Sequence, residues 1–428
     1  METRDRAFIF SYKKIKRIKM RNYVKIAAVL GISVATLNAA GYKIPEQSLN
    51  AVALSAAYVA NARGADASYY NPANMAFSPA GAQIEMGLTY INLPRINYTD
   101  TLPSMYGLNG SSKVENFYVP TFHYMSPEVN KWRFGLSLTA PGGLSKKWDS
   151  AYQKAYAQEF TLKIIELNPT ASYKINNQLA FGFGLRGVYT DGVVKSSGAV
   201  GRDMKGDSID YGYNLALSYK PRNDMTLSAT YRSKVNLTVS GHADLYSGTT
   251  LAMPHVSANV EIPLPATLDL AVAYNFDKTT VELVYERVYW SSYNNLDFNY
   301  DTNIGGFAPY FDTPIPKNWK DTDTYRIGIT NQYSDKLKLM AGFAIDESPA
   351  PNDTLGFELP DSDAKLYSLG FEYKVSKATS FGLAYLYDSK KTRTIDNRTN
   401  SANPTTGISG TFKDASAHLL TASIKYRF

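Results

Sequence analysis

The chain has 428 residues, 44% hydrophobic and 19% charged, and its 33 tyrosines and 19 phenylalanines are accompanied by no cysteine. This composition excludes a disordered or collagen-like chain, and it leaves no thiolate catalysis, cysteine-ligated zinc or disulfide. The formal charge of +7 suggests a nucleic-acid partner, but residues 1–39 carry nine of the 45 bases and two of the 38 acids. The remainder has 36 of each and is neutral, so nucleic acid is not expected as a partner.

The first 39 residues have the anatomy of a secretory signal peptide. Basic residues ending at Lys25 precede an apolar run over residues 26–37, and small residues follow it. This run is too short to span a bilayer as a helix, so we predict cleavage that leaves Ala40 as the first mature residue. The alternative is an uncleaved membrane anchor. Residues 20–39 alone have every part of a signal peptide, so Met20 is a second candidate for the initiator methionine. In that case residues 1–19 come from a misassigned upstream start.

Residues 40–80 do not alternate between apolar and polar side chains. They are rich in small residues, with a helix-compatible stretch at residues 55–62, and Asn71–Pro72 favours a turn. About forty residues of this kind, too polar for lipid, fit a compact plug inside a lumen. We predict a hatch domain over residues 40–80, with a flexible N-terminal tail as the alternative.

From residue 81 onward the sequence predicts amphipathic β-strands. In residues 213–219, for example, Tyr, Leu, Leu and Tyr alternate with Asn, Ala and Ser, so one face is apolar with aromatic ends. Aromatic residues at both ends of an apolar face are typical of strands that cross a membrane between two interfacial girdles. Backbone groups in lipid must all be paired, so such strands span only as a closed barrel. A soluble β-sandwich is the alternative.

The predicted fold class is all-β, a transmembrane antiparallel β-barrel of about 14 strands over residues 81–428 with the hatch in its lumen. An even number of strands is what single-chain bacterial barrels contain. Short connections such as residues 220–224 and 275–278 are predicted periplasmic turns, and residues 145–160, 194–207, 240–260, 294–323 and 388–414 external loops. The predicted strands cover residues 83–90, 117–124, 132–139, 162–173, 179–189, 209–219, 225–235, 267–274, 280–288, 324–332, 337–345, 365–373, 380–387 and 417–428.

Several sequence blocks then occur in the order found in one family of barrels. They are residues 40–48 (AGYKIPEQS), 71–73 (NPA), 167–170 (LNPT), 264–267 (LPAT), 289–293 (YWSSY), 321–327 (DTDTYRI), 344–351 (AIDESPAP) and 359–361 (LPD). The last strand ends at Phe428, which looks like the assembly signal of outer-membrane barrels. Together these blocks make the mature chain resemble the FadL/TodX family of outer-membrane transporters for long-chain fatty acids and other hydrophobic compounds.

The resemblance implies a relay through the barrel. External loops capture the ligand, an internal pocket holds it, the hatch moves, and the ligand leaves sideways into the membrane through a wall gap at a kinked third strand. Pro141, Gly142 and Gly143 supply the kink, because proline lacks a donor and glycine is flexible; an ordinary loop start is the alternative. For the matching triplet Asn71, Pro72 and Ala73 we favour hatch gating over a turn that merely seats the plug.

Two further groups of residues follow from a transport function. A fatty carboxylate in an apolar pocket needs a cation, and the candidates are Arg186, Lys195, Lys317 and Lys320. Apolar capture in the external loops is assigned to Trp148, Tyr152, Tyr156 and Phe160. The alternatives are lumen hydration or loop solvation for the first group, and an interfacial girdle or a packed loop core for the second.

Competing functions have less support. The chain has four histidines, no HExxH and no Gly-x-Ser-x-Gly, so no enzyme, metal or cofactor is expected. A general-diffusion porin would lack a plug. An adhesin remains an alternative, because the long loops do not exclude it. We therefore predict passive uptake of hydrophobic molecules across the bacterial outer membrane, with fatty acids ahead of aromatic hydrocarbons. The protein is expected to be a monomer in contact with outer-membrane lipid, inserted by the barrel assembly machinery through Phe428.

Overall fold

The computed structural model describes residues 41–398 and 407–428. The leader and the predicted cleavage before Ala40 lie outside the described residues. Antiparallel strands dominate, and fourteen of those described form the wall. The wall strands are β1 (Gln83–Leu93), β2 (Glu115–Met125), β3 (Trp132–Lys147), β4 (Glu159–Lys174), β5 (Leu179–Ser196), β6 (Val200–Arg222), β7 (Met225–Arg232), β8 (Thr267–Phe276), β9 (Thr279–Val288), β10 (Thr322–Gln332), β11 (Leu337–Asp346), β12 (Ala364–Lys374), β13 (Thr379–Lys390) and β14 (Ser416–Arg427).

The wall closes on itself because β1 pairs on both sides. Gln83 lies opposite Arg427 of β14 on one side and opposite Met125 of β2 on the other. Each strand from β2 to β13 pairs with the wall strands numbered before and after it, and β14 pairs with β13 and β1. Each of the fourteen predicted strands coincides with one wall strand, so the predicted fold class is confirmed.

Two stretches predicted as external loops are instead largely strand. β5 and β6 extend through residues 194–207 to a short turn, and residues 240–260 lie in an outer hairpin (Val235–Ser247 and Thr250–Leu264). The outer hairpin pairs with the extended part of β6, with Ser240 opposite Asp207. Above the membrane a strand can expose polar side chains to water, so these stretches lack the aromatic and apolar pattern by which the wall strands were found.

The outward face of the wall is apolar. On β5, Leu185 is 65% exposed whereas the next residue, Arg186, is 2% exposed and points inward. On β6 the exposed row contains leucines in the middle and tyrosines at the ends, including Tyr213 and Tyr219. This is the alternation and the aromatic girdle that a lipid-facing barrel needs. No helix in the described ranges is long and apolar enough to cross a membrane.

The N-terminal segment, residues 41–80, packs against the inward side of the wall. A Cβ atom added at Gly342 would overlap the backbone of Leu54, and one added at Gly182 would overlap Ala73. Gly342 and Gly182 lie in β11 and β5, so the segment contacts well-separated wall strands. Glycine at these positions lets the backbone of the segment approach the wall closely. The segment thus fills the lumen at the level of these strands.

The remaining elements are short. The N-terminal segment contains α1 (Leu49–Ala53), α2 (Ala67–Tyr70) and the 3₁₀-helix Pro72–Phe77, and the loops contain α3 (Ala151–Ala157) and α4 (Ala308–Phe311). Loop strands are Asn97–Asp100, Gly110–Ser111, Asn295–Leu296, Phe298–Tyr300, Ile315–Pro316, Arg393–Asp396 and Ser409–Lys413. Loop 3₁₀-helices are Ser104–Tyr106, Trp290–Ser292, Gly305–Phe307 and Asn352–Thr354. The loop elements lie at the end of the barrel opposite the short turns.

Candidate functional site: a wall window and an apolar cavity

The ladder between β2 and β3 is interrupted. The two strands pair only from Phe122–Leu138 to Met125–Gly135, although β2 pairs with β1 along its whole length and β3 pairs with β4 as far as Lys147. This leaves an opening between the two strands. The opening ends on the side of the loops, where the Lys113 amide donates to the Lys147 carbonyl at 2.8 Å. We call the opening the wall window; its edges are residues 115–121 of β2 and 139–146 of β3.

Pro141 and its two following glycines lie on the edge of the wall window. The register of β3 against β4 shifts between Thr139 and Gly142, so β3 contains a bulge at Pro141. Proline has no amide hydrogen and cannot continue a ladder with β2. The three residues are buried inside a strand rather than placed at a loop start. Pro120, on the opposite edge, likewise lacks a donor and is a sequence signal that our sequence analysis missed.

Residues 42–47 of the N-terminal segment occupy the wall window. The Ile44 amide donates to the Pro141 carbonyl at 2.9 Å, and the Gly143 amide donates to the Tyr42 carbonyl at 2.8 Å. The side-chain amide of Gln47 makes both hydrogen bonds that a neighbouring strand would offer Ala140. Four backbone groups of β3 that lack a β2 partner, at Ala140, Pro141 and Gly143, are therefore satisfied by this segment.

His123 fixes the lower end of the wall window. Its Nε2 lies 2.8 Å from the Gln47 carbonyl oxygen and its Nδ1 lies 3.0 Å from Oγ of Ser137, and the ring is fully buried. Ser137 is also 2.6 Å from Oγ of Ser68 in the N-terminal segment. No local sequence pattern indicates this role of His123, because its partner Gln47 is distant in the chain.

Charged groups hold the other side of residues 42–47. Lys43 forms an ion pair with Glu286 of β9, and Arg326 of β10 binds the same carboxylate at 2.8 Å. Burial lowers the pKa of Lys43 to about 8. Glu46 is buried with neither carboxylate oxygen hydrogen-bonded, and burial raises the pKa of this residue to about 7 despite the nearby Arg326. The segment therefore spans the lumen from the wall window to an ion-pair network.

The Asn71–Pro72–Ala73 turn lies away from the wall window. The Asn71 side chain donates to the Val59 carbonyl and to Oγ of Ser218 on β6, both at 2.9 Å. Ala73 contacts Gly182 of β5. The turn is thus seated against β5 and β6, and residues 42–47 are the part of the segment that lies at the wall window.

A narrow apolar cavity lies beside the wall window, between β4, β5, β6 and the outer hairpin. The described residues that line it are apolar apart from Thr161. They include Phe160, Leu162, Val194, Met204, Val239 and Phe298. The lining matches an alkyl chain or an aromatic ring in polarity, because neither needs a hydrogen bond. The cavity measures only about 20 Å³, room for roughly one water molecule, so a ligand would enter it only if the lining side chains moved apart.

Three of the four predicted carboxylate-binding cations already have an acidic partner. Arg186 binds Glu166 at 2.8 Å in the buried wall interior, and Lys195 binds Asp203 at 2.9 Å. Lys317 forms an ion pair with Glu358. Lys320 is exposed in a loop and makes no ion pair within the described residues; its backbone amide donates to Pro349. A ligand would have to displace an existing partner from the first three.

The four predicted capture residues separate into two places. Trp148 is buried and donates its Nε1–H to the Phe357 carbonyl at 2.9 Å, whereas Tyr152 and Tyr156 lie on α3 against the ring of Phe357. Phe160 lies in the wall and lines the apolar cavity. Of these side chains Tyr156 is the exposed one, so it is the one placed to meet a ligand from outside.

A second, wider cavity of about 840 Å³ opens at the end with the short turns. Its lining is mixed, with Asn50 and Leu54 from the N-terminal segment and charged wall residues such as Lys338 and Glu372. The segment separates it from the apolar cavity. Within the described residues no group of three or more histidines and carboxylates could hold a metal ion.

Fourteen antiparallel strands with a lipid-facing aromatic girdle, closed on themselves around the packed N-terminal segment, define an outer-membrane β-barrel. Residues 31–428 match the family described as outer membrane protein transport protein (OMPP1/FadL/TodX). The chain belongs to this family of outer-membrane transporters of hydrophobic compounds. The predicted family, membrane and absence of enzymatic activity are thereby confirmed.

Relatives with two kinds of substrate in their names resemble the chain. The long-chain fatty acid transport protein of Escherichia coli (strain K12) is 25% identical over 316 residues, which cover 62% of this chain and 69% of the relative. Outer membrane protein P1 of Haemophilus influenzae is 23% identical over 388 residues, covering 77% and 82%. A solved FadL homologue of Pseudomonas aeruginosa superposes with a TM-score of 0.80 at 21% identity, over 91% of this chain and 100% of the homologue. The toluene transporter TodX of P. putida superposes with a TM-score of 0.68 at 20% identity, over 88% of this chain and 98% of the transporter. At such identities the structural likeness establishes the fold.

Proposed function

We propose that this protein takes up long-chain fatty acids, or hydrophobic molecules of similar length, by passive diffusion across the outer membrane. The observation that carries this proposal is the wall window, which residues 42–47 occupy, next to a narrow apolar cavity. The fatty-acid transporter of E. coli, which matches over 316 residues, adds support for this substrate class. A general porin has less support, because the N-terminal segment fills the lumen.

The first step in this proposal is capture at the outer loops. Met105 is 85% exposed, and Tyr106 and Tyr156 are exposed nearby. The Gln153 side chain donates to the Leu108 carbonyl at 2.7 Å, which attaches the loop of Met105 to α3. Exposed apolar side chains grouped in this way form a surface on which a hydrophobic molecule can leave water.

The second step is release through the wall window. A ligand that moves the lining of the apolar cavity apart would lie beside β3, and displacement of residues 42–47 would open a lateral path between β2 and β3 into the lipid. We assign hatch gating to the N-terminal segment, with Pro141, Gly142 and Gly143 as the fixed edge and Asn71, Pro72 and Ala73 as the seat about which the segment moves. A lateral exit spares the ligand from crossing the polar cavity at the periplasmic end.

Assembly is part of the same proposal. Phe428 is exposed at the end with the short turns, and its amide donates to the Ala82 carbonyl at 3.0 Å. We assign to it recognition by the barrel assembly machinery, and we assign a monomeric state to the folded barrel.

Aromatic hydrocarbons are the second candidate ligands, because the cavity lining contains almost no hydrogen-bonding side chain. The test is uptake of radiolabelled palmitate and, in parallel, toluene by cells that lack their own transporter and produce this protein. Palmitate uptake above that of the same cells without this protein supports the proposal. Uptake of toluene but not of palmitate would assign aromatic hydrocarbons as the substrate class. Uptake of neither, with a correctly folded barrel in the membrane, contradicts both.

A further inference from the structure

A third cavity, of about 610 Å³, opens among the short turns at the periplasmic end. Its lining combines the last residues of the N-terminal segment, between 76 and 81, with the ends of β3, β4 and β6. Four lining residues are charged at neutral pH, the cations Arg133, Lys174 and Lys220 and the carboxylate Glu128. Three positive charges and one negative charge give the lining a net charge of +2.

The three cations share the inward face of the wall. Arg133 lies directly opposite Ser172 of β4, and directly opposed residues share a face of the sheet. Lys174 is two residues beyond Ser172, and Lys220 is two residues beyond Ser218 of β6, so alternation gives each pair one face. Both serines are hydrogen-bonded to the N-terminal segment, which identifies this face as the inward one.

Arg133 is a buried guanidinium without a carboxylate contact. Its side chain is 2% exposed and makes no ion pair within the described residues. One terminal nitrogen donates to the carbonyls of Ser78 and Pro79, the other reaches only the sulfur of Met125 at 3.6 Å, and Nε has no hydrogen-bond partner. Glu128 is near enough to act on Arg133, but it is exposed. A buried cation of this kind is unfavourable unless an anion lies beside it.

The charged groups nearest to Lys220 are also cations. Its ammonium lies 4.0 Å from the ring centre of Phe77 in the N-terminal segment, and Arg63 and Lys174 are near enough to act on it. In the part of the chain that the structure describes, none of these three cations makes an ion pair. Like charges held close together repel each other, and an anion between them would remove this repulsion.

A phosphate ester matches the cavity in charge and in chemistry. A phosphate monoester carries about −1.5 to −2 charges at neutral pH, which is close to the net charge of the lining. Its oxygens accept hydrogen bonds from a guanidinium fork and from lysine ammonium groups, the donors that this cavity offers. The cavity has room for more than a phosphate, and Ala76, Phe77 and Pro127 give it an apolar part for the organic body of the ester.

We propose that Arg133, Lys174 and Lys220 form a binding site for the phosphate group of a phosphate ester. The ester is either a soluble molecule of the periplasm or a lipid with a phosphate headgroup, because both present the same group. The inference does not rest on the proposed function, since the cavity lies among the short turns and shares no residue with the wall window. A bound phosphate would join the end of the N-terminal segment to three wall strands.

The test measures binding of glycerol 3-phosphate to the purified full-length barrel by isothermal titration calorimetry, with succinate as a dicarboxylate of similar charge. We expect glycerol 3-phosphate to bind more tightly than succinate. Lys220→Met and Lys174→Met should each weaken its binding about tenfold, because each removes a charged hydrogen-bond donor. Lys131→Met is the matched control, since Lys131 is exposed in the turn before β3 and does not line the cavity.

Arg133→Lys keeps the charge but loses the planar fork, so it should reduce the preference for phosphate over succinate. Dihexanoyl phosphatidic acid distinguishes the two sources, because binding of this lipid without binding of glycerol 3-phosphate identifies a lipid headgroup as the ligand. Binding of glycerol 3-phosphate identifies a soluble ester.

The proposal is wrong if neither phosphate compound binds more tightly than succinate. It is also wrong if Lys131→Met weakens binding as much as Lys220→Met, because the cavity would then contribute only general positive charge. If one lysine variant does not assemble, the other provides the same comparison. In the unmodified protein, glycerol 3-phosphate should slow amide hydrogen exchange in residues 76–81, and unchanged exchange there would place the bound phosphate elsewhere and overturn the proposal.

Discussion

The side-chain amide of Gln47 forms two hydrogen bonds with the backbone of Ala140, receiving its N–H at 2.7 Å and donating to its carbonyl at 2.8 Å. A glutamine here replaces one residue of a missing β-strand. The arrangement keeps buried backbone groups satisfied while leaving them attached to a side chain rather than to a continuous ladder. A seal made in this way can separate from β3 without unfolding the wall.

Replacing Gln47 should therefore loosen the wall window while the barrel stays folded. Gln47→Leu leaves the Ala140 amide and carbonyl without partners, at a cost of roughly 1–3 kcal/mol for a buried polar group. We expect faster amide hydrogen exchange in residues 139–147 and unchanged exchange in β1. Gln178→Leu, in an exposed turn, is the control. Unchanged exchange at residues 139–147 would show that Gln47 does not hold the edge.

Disulfides can test whether the N-terminal segment must move, because the chain has no cysteine of its own. Oγ of Ser68 is 2.6 Å from Oγ of Ser137 on β3, so Ser68→Cys/Ser137→Cys should form a bond across this contact. We expect uptake to fall to the level of cells without the protein under oxidising conditions and to recover with a reductant. Thr89 and Thr421, two wall residues 2.8 Å apart at their Oγ1 atoms, provide the matched pair.

The Thr89→Cys/Thr421→Cys disulfide joins β1 to β14 and leaves the segment free, so uptake should not respond to oxidation. If the locked Ser68–Ser137 variant transports normally, release does not need movement of this part of the segment.

The wall could be predicted from the sequence because each membrane strand carries its own signal. The alternation of apolar and polar side chains in residues 213–219 can be read from neighbouring residues alone. In the fold the apolar side chains face lipid and the others face the interior of the barrel. The strands of the outer hairpin were missed because water on their exposed face removes that signal. Contacts such as Gln47 with Ala140, or Lys43 with Glu286, join residues distant in the chain, and no local pattern encodes them.

The predicted cations show the same limit. The candidate Arg186 does point into the barrel, but Glu166 already neutralises it. The burial of Lys146, which is 1% exposed on β3, gave no signal, because this lysine falls inside the external loop predicted for residues 145–160, where a lysine is ordinarily solvated. Its burial depends on where the bulge at Pro141 directs β3, and this is a property of the assembled wall.

The Asn71–Pro72–Ala73 turn gives a third prediction. Asn71→Ala removes the hydrogen bonds to Val59 and Ser218, and Pro72→Ala relaxes the backbone next to them. We expect the double variant to lower palmitate uptake without lowering the amount of folded barrel, measured by its heat-dependent mobility in gels. Asn176→Ala, in an exposed turn, is the control. Normal uptake by the double variant would argue that the turn only seats the segment.

The last prediction concerns pH. Burial raises the pKa of Glu46 to about 7, from about 4.3 in an unfolded chain, so the docked segment binds the proton more tightly than the free one. The stabilisation is complete below pH 4 and is lost as pH rises through about 7. Docking of residues 42–47 should therefore weaken by about 3 kcal/mol between pH 4 and pH 8.

Hydrogen exchange of residues 42–47 measures this change, and Glu46→Gln should remove most of the dependence because a neutral amide replaces the titrating group. Lys43, whose pKa burial lowers to about 8, changes charge mainly above this range and remains in the variant as an internal reference. Exchange rates that rise equally with pH in both proteins, after correction for the chemical exchange rate, would mean that Glu46 does not control docking. A flat profile in the variant would identify Glu46 as the group through which acidity holds the wall window closed.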